Sequence, residues 1–111
     1  MTVNKKLKDA LKDIAKIKPH EHQGNGDDTY LVFNYNTLPS DYGDDEPEHE
    51  IYYVQVHLYA PAIKNTLSMQ RDIKRALYKA GFTWARVLDA SDSDGQHIVF
   101  ECQISEAVEV E

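Results

Sequence analysis

The pattern of apolar and polar positions is clearest in the middle of the chain. Residues 51–60 alternate with the period of a β-strand, and Pro61 ends the run because proline has no N–H to donate to a neighbouring strand. Apolar residues then recur three and four positions apart, opposite a face rich in lysine and arginine, which predicts an amphipathic helix over residues 63–80. The middle of the chain is therefore predicted to be a strand followed by a helix.

The end of this helix is marked by Gly81, because glycine is the usual residue in the left-handed position that closes a helix. Residues 82–89 alternate again and predict a second strand. Two strands joined by a helix are expected to run parallel in one sheet, with a right-handed connection.

The first part of the chain predicts another helix. It starts from a cap at Thr2 or Asn4 and continues to about Lys18, just before Pro19. Its apolar stripe is narrow, so we expect it to be stable only when packed on a sheet or on another subunit, and the sheet of its own chain is the favoured partner. The stripe consists of Leu7, Ala10, Leu11, Ile14 and Ile17.

A strand over residues 30–35 is apolar or aromatic on both sides, which is typical of a strand covered on both faces. Residues 37–50 contain prolines, a glycine and many carboxylates, and they predict a long acidic loop between this strand and the next. The spacing of the carboxylates matches no calcium loop, so a solvated charge run is favoured over calcium binding. The acidic residues are Asp41, Asp44, Asp45, Glu46, Glu48 and Glu50.

The last alternating run, residues 97–105, predicts a strand that forms a hairpin with the strand over residues 82–89. The turn between them reads ASDSDG, which resembles part of a calcium loop. Ala90 stands where such a loop needs its first carboxylate, so the hairpin is the favoured interpretation.

Together these elements predict an α+β fold in a single domain over residues 1–111. It has a small mixed β-sheet of about four strands and two helices, in the order α-β-β-α-β-β. A length of 111 residues is close to the commonest domain size and leaves no room for a second domain.

Charge is distributed unevenly along the chain. The net charge is -7, yet residues 3–18 contain six lysines and two aspartates. So acidic a protein is a poor candidate for binding nucleic acid, because phosphate contacts need basic groups. No apolar run approaches the roughly 20 residues that span a bilayer, and the first residues are too charged for a signal peptide, so a cytoplasmic protein is expected.

Few side chains are arranged for chemistry. Cys102 is the only cysteine and falls in an alternating run, so a buried core residue is favoured over a reactive thiol. His20, Glu21 and His22 are adjacent on a loop and cannot easily converge on one metal ion, and no further ligand stands at a known spacing. The sequence contains no nucleophile elbow and no glycine-rich phosphate loop, so an enzyme is not expected.

Five phrases follow one another along nearly the whole chain. They are LKDALKDI in the first helix, TYLVFNYN before the loop, HEIYYVQVHLYA before the second helix, IKRALYKAGF closing that helix, and HIVFECQISEAVE in the final hairpin. In this order of elements the chain resembles the small tail terminator, or tail completion, proteins of long-tailed (siphovirus-like) bacteriophages and prophages. The length of the acidic loop is a departure from that pattern.

The resemblance implies a structural protein, not an enzyme, that uses no cofactor. Such a protein forms a ring, commonly a hexamer, on the head-proximal end of the tail tube. The ring stops tube growth and joins the tail to the head connector or head-closure protein, while DNA passes through without sequence-specific contacts. The resemblance also implies a place in the virion tail, reached from the cytoplasm of the bacterial host, and no membrane association.

Aromatic residues exceed what one small domain must bury, and tyrosine is favoured at subunit interfaces, so we expect a surface for self-association or for the tube protein. The candidate interface residues are Tyr35, Tyr53, Tyr59 and Trp84. The candidate lining of the ring opening, or partner-binding loop, comprises Asp41, Asp44, Asp45, Glu46 and Glu48. Two alternatives remain: a head-closure or other neck component of the same virion, and a bacterial module that binds a small ligand or a metal.

Overall fold

Five strands and two helices make up the computed structural model, which describes residues 2–18, 28–43 and 46–107. In chain order the elements are α1 (Val3–Leu11), β1 (Lys16–Ile17), β2 (Tyr30–Gly43), β3 (Glu46–Ala60), α2 (Leu67–Lys79), β4 (Arg86–Asp89) and β5 (Gln96–Ala107). The strands form one sheet in the order β1-β2-β3-β5-β4. β1 is parallel to β2 and the other neighbours are antiparallel. The predicted α+β class with a mixed sheet is confirmed, with one strand more than predicted.

The extra strand replaces the end of the predicted first helix. α1 begins after Thr2, which is one of the two predicted caps. The helix ends at Leu11 and does not reach Lys18. The chain then turns and forms β1, which pairs with the start of β2. Ile14 and Ile17 fit a helical spacing, yet they reach the core from the turn and from β1. A short apolar run is compatible with either period, so the sequence could not separate the two structures.

The predicted acidic loop over residues 37–50 is wrong, because β2 and β3 continue through most of this segment as a long hairpin. Their antiparallel register extends to Gly43 opposite Glu46. Pro39 is compatible with a strand here because, among the described residues, β2 has no neighbour on its outer side beyond β1. Within the described part of the chain, β5 pairs with β3 as far as His49, and the hairpin extends beyond this described part of β5.

The connection between β3 and α2 also differs from the prediction. α2 starts at Leu67, and Ile63, predicted as part of its apolar face, is 98% exposed. The Gln96 side-chain amide donates to the Pro61 carbonyl oxygen at 2.9 Å, and its Oε1 accepts from the Thr66 hydroxyl at 2.7 Å. These bonds hold the connection in turns and delay the start of the helix.

The end of α2 confirms the prediction for Gly81, which has a φ of 105°. The Gly81 N–H donates to the Tyr78 carbonyl and the Phe82 N–H donates to the Leu77 carbonyl, both at 3.1 Å. This pair of bonds is the Schellman motif, and the accompanying apolar contact is supplied by Phe82 and Leu77, which are both buried. The following strand, β4, begins only at Arg86, later than predicted.

β3 and β4 run in the same direction, as predicted, but they are not neighbours because β5 lies antiparallel between them. The predicted hairpin of β4 and β5 is confirmed. Its turn needs Gly95, which has a φ of 152° and where a Cβ would lie 2.9 Å from the Ala60 carbonyl oxygen.

Both helices pack on the same face of the sheet, and the core lies between them and that face. α1 therefore packs on the sheet of its own chain, as predicted, and an ion pair of Lys6 with Glu106 also links it to β5. Neither described helix is long and apolar enough to cross a membrane. The core side chains are Val3, Leu7, Leu11, Leu31, Val54, Val56, Leu58, Ile73, Leu77, Phe82, Ala85, Ile98, Phe100, Cys102 and Ile104.

Candidate interaction face

One face of the sheet points away from the two helices. Side chains alternate along a strand, so the residues between the core positions lie on this second face, which we call the open face. It includes Tyr30, Val32, Asn34 and Asn36 of β2, Ile51, Tyr53, Gln55, His57 and Tyr59 of β3, Arg86 and Leu88 of β4, and His97, Val99, Glu101 and Gln103 of β5.

A row of stacked rings crosses three strands of the open face. Tyr30, Tyr59 and His97 are register partners on β2, β3 and β5. The ring centroids of Tyr30 and Tyr59 are 5.0 Å apart, and those of Tyr59 and His97 are 4.4 Å apart. Burial raises the pKa of Tyr59, and the neighbouring Tyr30 raises this pKa further. Cross-strand ring pairs contribute about 0.5–1.5 kcal/mol each, so the row helps to fix the strand register.

A chain of hydrogen bonds runs beside these rings and ends at the Glu101 carboxylate, which can only accept. Gln55 donates to Glu101 at 3.3 Å and accepts from the Asn34 amide at 3.5 Å. The Asn34 Oδ1 atom then accepts from His57 Nε2 at 3.0 Å. His57 Nδ1 is therefore the acceptor for His97 Nε2–H at 2.8 Å when both rings are neutral. All donors in the chain point from His97 towards Glu101.

The environment of His97 favours its neutral form. Burial lowers the pKa of His97, and the Asp92 carboxylate opposes this effect only in part. His97 could gain a proton at Nδ1 without breaking the chain, whereas His57 could not, because its Nδ1 already accepts a hydrogen bond. The network is therefore satisfied and directional, and it is suited to holding the open face in one arrangement.

The four candidate interface residues do not share one face. Tyr53 and Tyr59 lie on the open face, and Tyr53 is 43% exposed. Tyr35 pairs with Val54 on the core side, where its ring packs edge-on against Tyr52 with a centroid distance of 5.6 Å. The structure thus brings Tyr53 and Tyr59 to one surface and places Tyr35 on the other.

Trp84 lies just before β4 and is 55% exposed. Its ring packs edge-on against Tyr78 of α2 at 5.6 Å, and the Lys74 ammonium lies 5.9 Å from its centroid. Trp84 also lines a groove of about 460 Å³ together with Tyr53 and Arg86. The groove therefore connects Trp84 with the open face at its β4 side.

The acidic candidates lie in the β2–β3 hairpin rather than in a loop. Asp41 belongs to β2, and Glu46 and Glu48 belong to β3. Asp44 and Asp45 lie outside the described residues.

The two segments considered as metal sites, and Cys102, can now be compared with the structure. Residues 20–22, considered as a metal site, lie outside the described part of the chain. Within residues 2–18, 28–43 and 46–107, no three side chains of the metal-binding types are grouped. In the turn considered as a calcium loop, the Asp94 N–H donates to the Asp92 side chain at 2.8 Å. Cys102 is buried as predicted, and burial raises its pKa to about 12.

Sequence reasoning did not single out His57, His97 or Glu101 as members of the open face network. Each stands at an alternating position of a predicted strand, and that was the only signal. His57 and His97 are 40 positions apart, so their contact depends on the register between β3 and β5.

Comparison with known proteins found no family model and no curated protein that matches this chain. The order of elements and the open face are the features of the chain that bear on its function.

Proposed function

We propose that this chain is a structural protein of a bacteriophage or prophage tail. It forms a ring on the head-proximal end of the tail tube, stops tube growth and joins the tail to the head connector. The observation that carries this proposal is the open face, a broad sheet surface with an aromatic row, opposite the helix-covered face.

The chemistry of the open face supports a role in protein binding. Its polar side chains are tied together by hydrogen bonds, so they lose little freedom when a partner covers them. Its rim carries Tyr53, Trp84 and Arg86 around one groove, and tyrosine, tryptophan and arginine are the residues that dominate binding energy at protein interfaces.

The order of the elements supports the choice of a tail protein. The resemblance to tail terminators depends on a first helix, a strand pair, a second helix and a final hairpin, and these elements occur in that order in the fold. Each subunit covers one face of its sheet with its own helices and leaves the other face for the tube protein or for a second copy.

The net charge of -7 is compatible with a ring through which DNA passes. Basic groups on such a path would hold phosphates, whereas carboxylates repel them over about one Debye length, roughly 8 Å at physiological salt. The acidic β2–β3 hairpin supplies part of this charge.

The test is electron microscopy of tail tubes assembled with the wild-type protein and with Tyr53→Glu. The wild type should cap tubes at a uniform length. Tyr53→Glu should leave the monomer folded, because the side chain is 43% exposed, and it should abolish capping, because a buried carboxylate without a partner is costly. Leu67→Glu on α2, at a leucine that is 62% exposed on the helix side of the sheet, is the control and should cap normally.

Normal capping by Tyr53→Glu would contradict the assignment of the open face. Binding of the wild type to a purified head connector but not to tubes would instead indicate a head-closure role. A bound metal or small ligand in native mass spectrometry, with no binding to either virion component, would favour the ligand-binding module.

A further inference from the structure

The outer edge of β2 has a stretch with no described neighbour. β1 covers only its start, pairing with Tyr30 and Leu31. Beyond Leu31, no other described strand lies on this side of β2. An edge of this kind exposes backbone N–H and C=O groups that another strand can pair with.

The hydrogen bonds identify which residues of β2 face outwards. The Leu31 carbonyl accepts from the Lys18 N–H at 2.8 Å, so the backbone groups of Leu31 point away from β3. Residues of an antiparallel pair alternate between bonding the partner strand and pointing away from it. The next residues that point outwards are Phe33, Tyr35 and Thr37.

Pro39 is the next outward position in this series. Its missing N–H leaves the ladder with β3 intact, but it removes a donor from the outer edge. The pairing edge of β2 is therefore limited to the window between Leu31 and Pro39.

The other edge of the sheet is β4, which has no described strand on its outer side. The Ala90 N–H donates to the His97 carbonyl at 2.7 Å, so Ala90 and every second residue before it face β5. Val87 and Asp89 therefore direct their backbone groups outwards. The four residues of β4 fit within the window on β2.

Both edges expose large apolar side chains. Tyr35 is 37% and Leu38 is 55% exposed on β2, while Val87 is 37% and Leu88 is 38% exposed on β4. Edge strands are usually protected by charges or proline; residues 32–38 of β2 contain neither, and the two middle residues of β4, between Arg86 and Asp89, are apolar. Two unprotected edges on one chain are complementary to each other.

We propose that β4 of one copy pairs with β2 of a second copy, between Leu31 and Pro39, so that one sheet continues from subunit to subunit. The partner is a second copy of this chain, because the four residues of β4 fit within the window on β2 and both edges expose apolar side chains. The contact is head-to-tail, and a head-to-tail contact generates a ring when its rotation closes.

The orientation of the side chains agrees with this arrangement. Val87 pairs with Phe100 and Tyr35 pairs with Val54, so both outward-facing residues carry their side chains on the core face. Residues that bond through the backbone in an antiparallel pair have side chains on the same face. The pairing therefore keeps the helices of all copies on one side of the continuous sheet and all open faces on the other.

The strand directions agree as well. β2 and β4 run in opposite directions within one copy, because β2 is antiparallel to β3, β3 to β5 and β5 to β4. If neighbouring copies are related by rotation about an axis parallel to the strands, each strand keeps its direction from one copy to the next. β4 then meets β2 of the next copy as an antiparallel neighbour.

This inference rests on the proposed function in taking the partner to be another subunit of a ring. Its test is a cross-link in the double variant Tyr35→Cys with Val87→Cys. Backbone-bonded antiparallel partners have Cα atoms about 5.5 Å apart, which suits a disulfide. Cys102 does not compete, because burial raises its pKa to about 12.

Oxidation of the double variant, alone at high concentration and mixed with tail tubes, should give a ladder of covalent oligomers on a non-reducing gel. Each single variant should give no ladder. A second double variant, Thr37→Cys with Val87→Cys, tests the alternative register in which Val87 lies opposite Thr37 instead of Tyr35. If neither double variant gives a ladder under either condition, the proposal is wrong.

A second variant tests the backbone directly. Val87→Pro removes an outward N–H without removing a bond to β5, so the monomer should stay folded and lose self-association. Val87→Thr keeps the N–H and the branched shape and is the control. Self-association of Val87→Pro equal to that of Val87→Thr, by sedimentation, would overturn the edge pairing.

The outcomes for the two proposals can be separated. A ladder together with a failure to cap tubes would support the edge pairing and refute the tail function. Normal capping by the wild type, with no ladder and an unaffected Val87→Pro, would support the tail function and refute the edge pairing.

Discussion

Leu11→Ala is expected to destabilise the whole domain, because Leu11 attaches α1 to the sheet. Its side chain is 0% exposed and belongs to the core between the helices and the sheet. The substitution leaves a cavity at the end of α1, where the chain turns towards β1 and the core residue Leu7 lies one helical turn away. β1 and the sheet below α1 are each held in place by strand pairing, so the surrounding structure cannot close the cavity fully.

The cost follows from the complete burial of the side chain. Buried leucine to alanine changes cost about 2–5 kcal/mol, and a domain is stable by only about 5–15 kcal/mol. Each kcal/mol lowers the midpoint of thermal unfolding by about 4 °C in a domain of this size, so we expect a decrease of about 8–20 °C.

Denaturant titration followed by circular dichroism measures this change. The midpoint should decrease while the slope with denaturant stays constant, because the surface exposed on unfolding is nearly the same. Leu67→Ala at the start of α2 is the matched control: Leu67 is 62% exposed, and its loss should change the stability by less than about 0.5 kcal/mol.

Equal unfolding midpoints for Leu11→Ala and Leu67→Ala would show that burial of Leu11 does not stabilise the domain. A second contrary result would be hydrogen exchange in which only the amides of α1 lose protection while the sheet keeps its stability. In that case α1 would unfold as a separate unit and would not be part of the cooperative core.

Three further substitutions or reagents test other features. Burial lowers the pKa of His97, so the unfolded chain binds a proton more readily than the folded chain, and the folded state loses stability as the pH falls through the unfolded pKa of 6.5. The variant His97→Gln should reduce this loss of stability, measured by thermal unfolding between about pH 7.5 and pH 5. An unchanged pH dependence in the variant would contradict this expectation. Gly81→Ala should lower the free energy of unfolding by about 1–2 kcal/mol in denaturant titration, since φ is 105° there, and no change would mean that the helix end relaxes. Cys102 should resist alkylation at about pH 8 until the protein is denatured, because burial raises its pKa to about 12, and rapid labelling of the folded protein would contradict its burial.

Elements with a distinctive boundary residue were predictable from the sequence. Pro61 marks the end of β3 and Gly81 the end of α2, and each residue has few other structural roles. The β2–β3 extension was not predictable, because Pro39 and the acidic residues are also what a loop contains. A strand tolerates these residues here because β2 lies at the edge of the sheet beyond β1, and this position is a property of the assembled sheet.

The candidate site was predictable only in part. The alternation in β3 correctly placed Tyr53 and Tyr59 on one face. It could not place Tyr35 relative to them, because that needs the register between β2 and β3, and it could not identify the contact of His57 with His97. Both depend on pairs that are distant in the sequence, for which local periodicity has no signal.

The position of β5 constrains how the chain is made. β5 lies between β3 and β4, although it is the last of the five strands in chain order. A nascent chain that has left the ribosome only as far as Gly95 therefore lacks one interior strand of its sheet and the ring contacts of His57 and Tyr59 with His97. Until Gln96–Ala107 emerges, β3 exposes an apolar edge and the helices have an incomplete surface to pack on. This domain therefore cannot finish folding before β5 has been made, and the chain that lacks β5 is the form that a chaperone would bind.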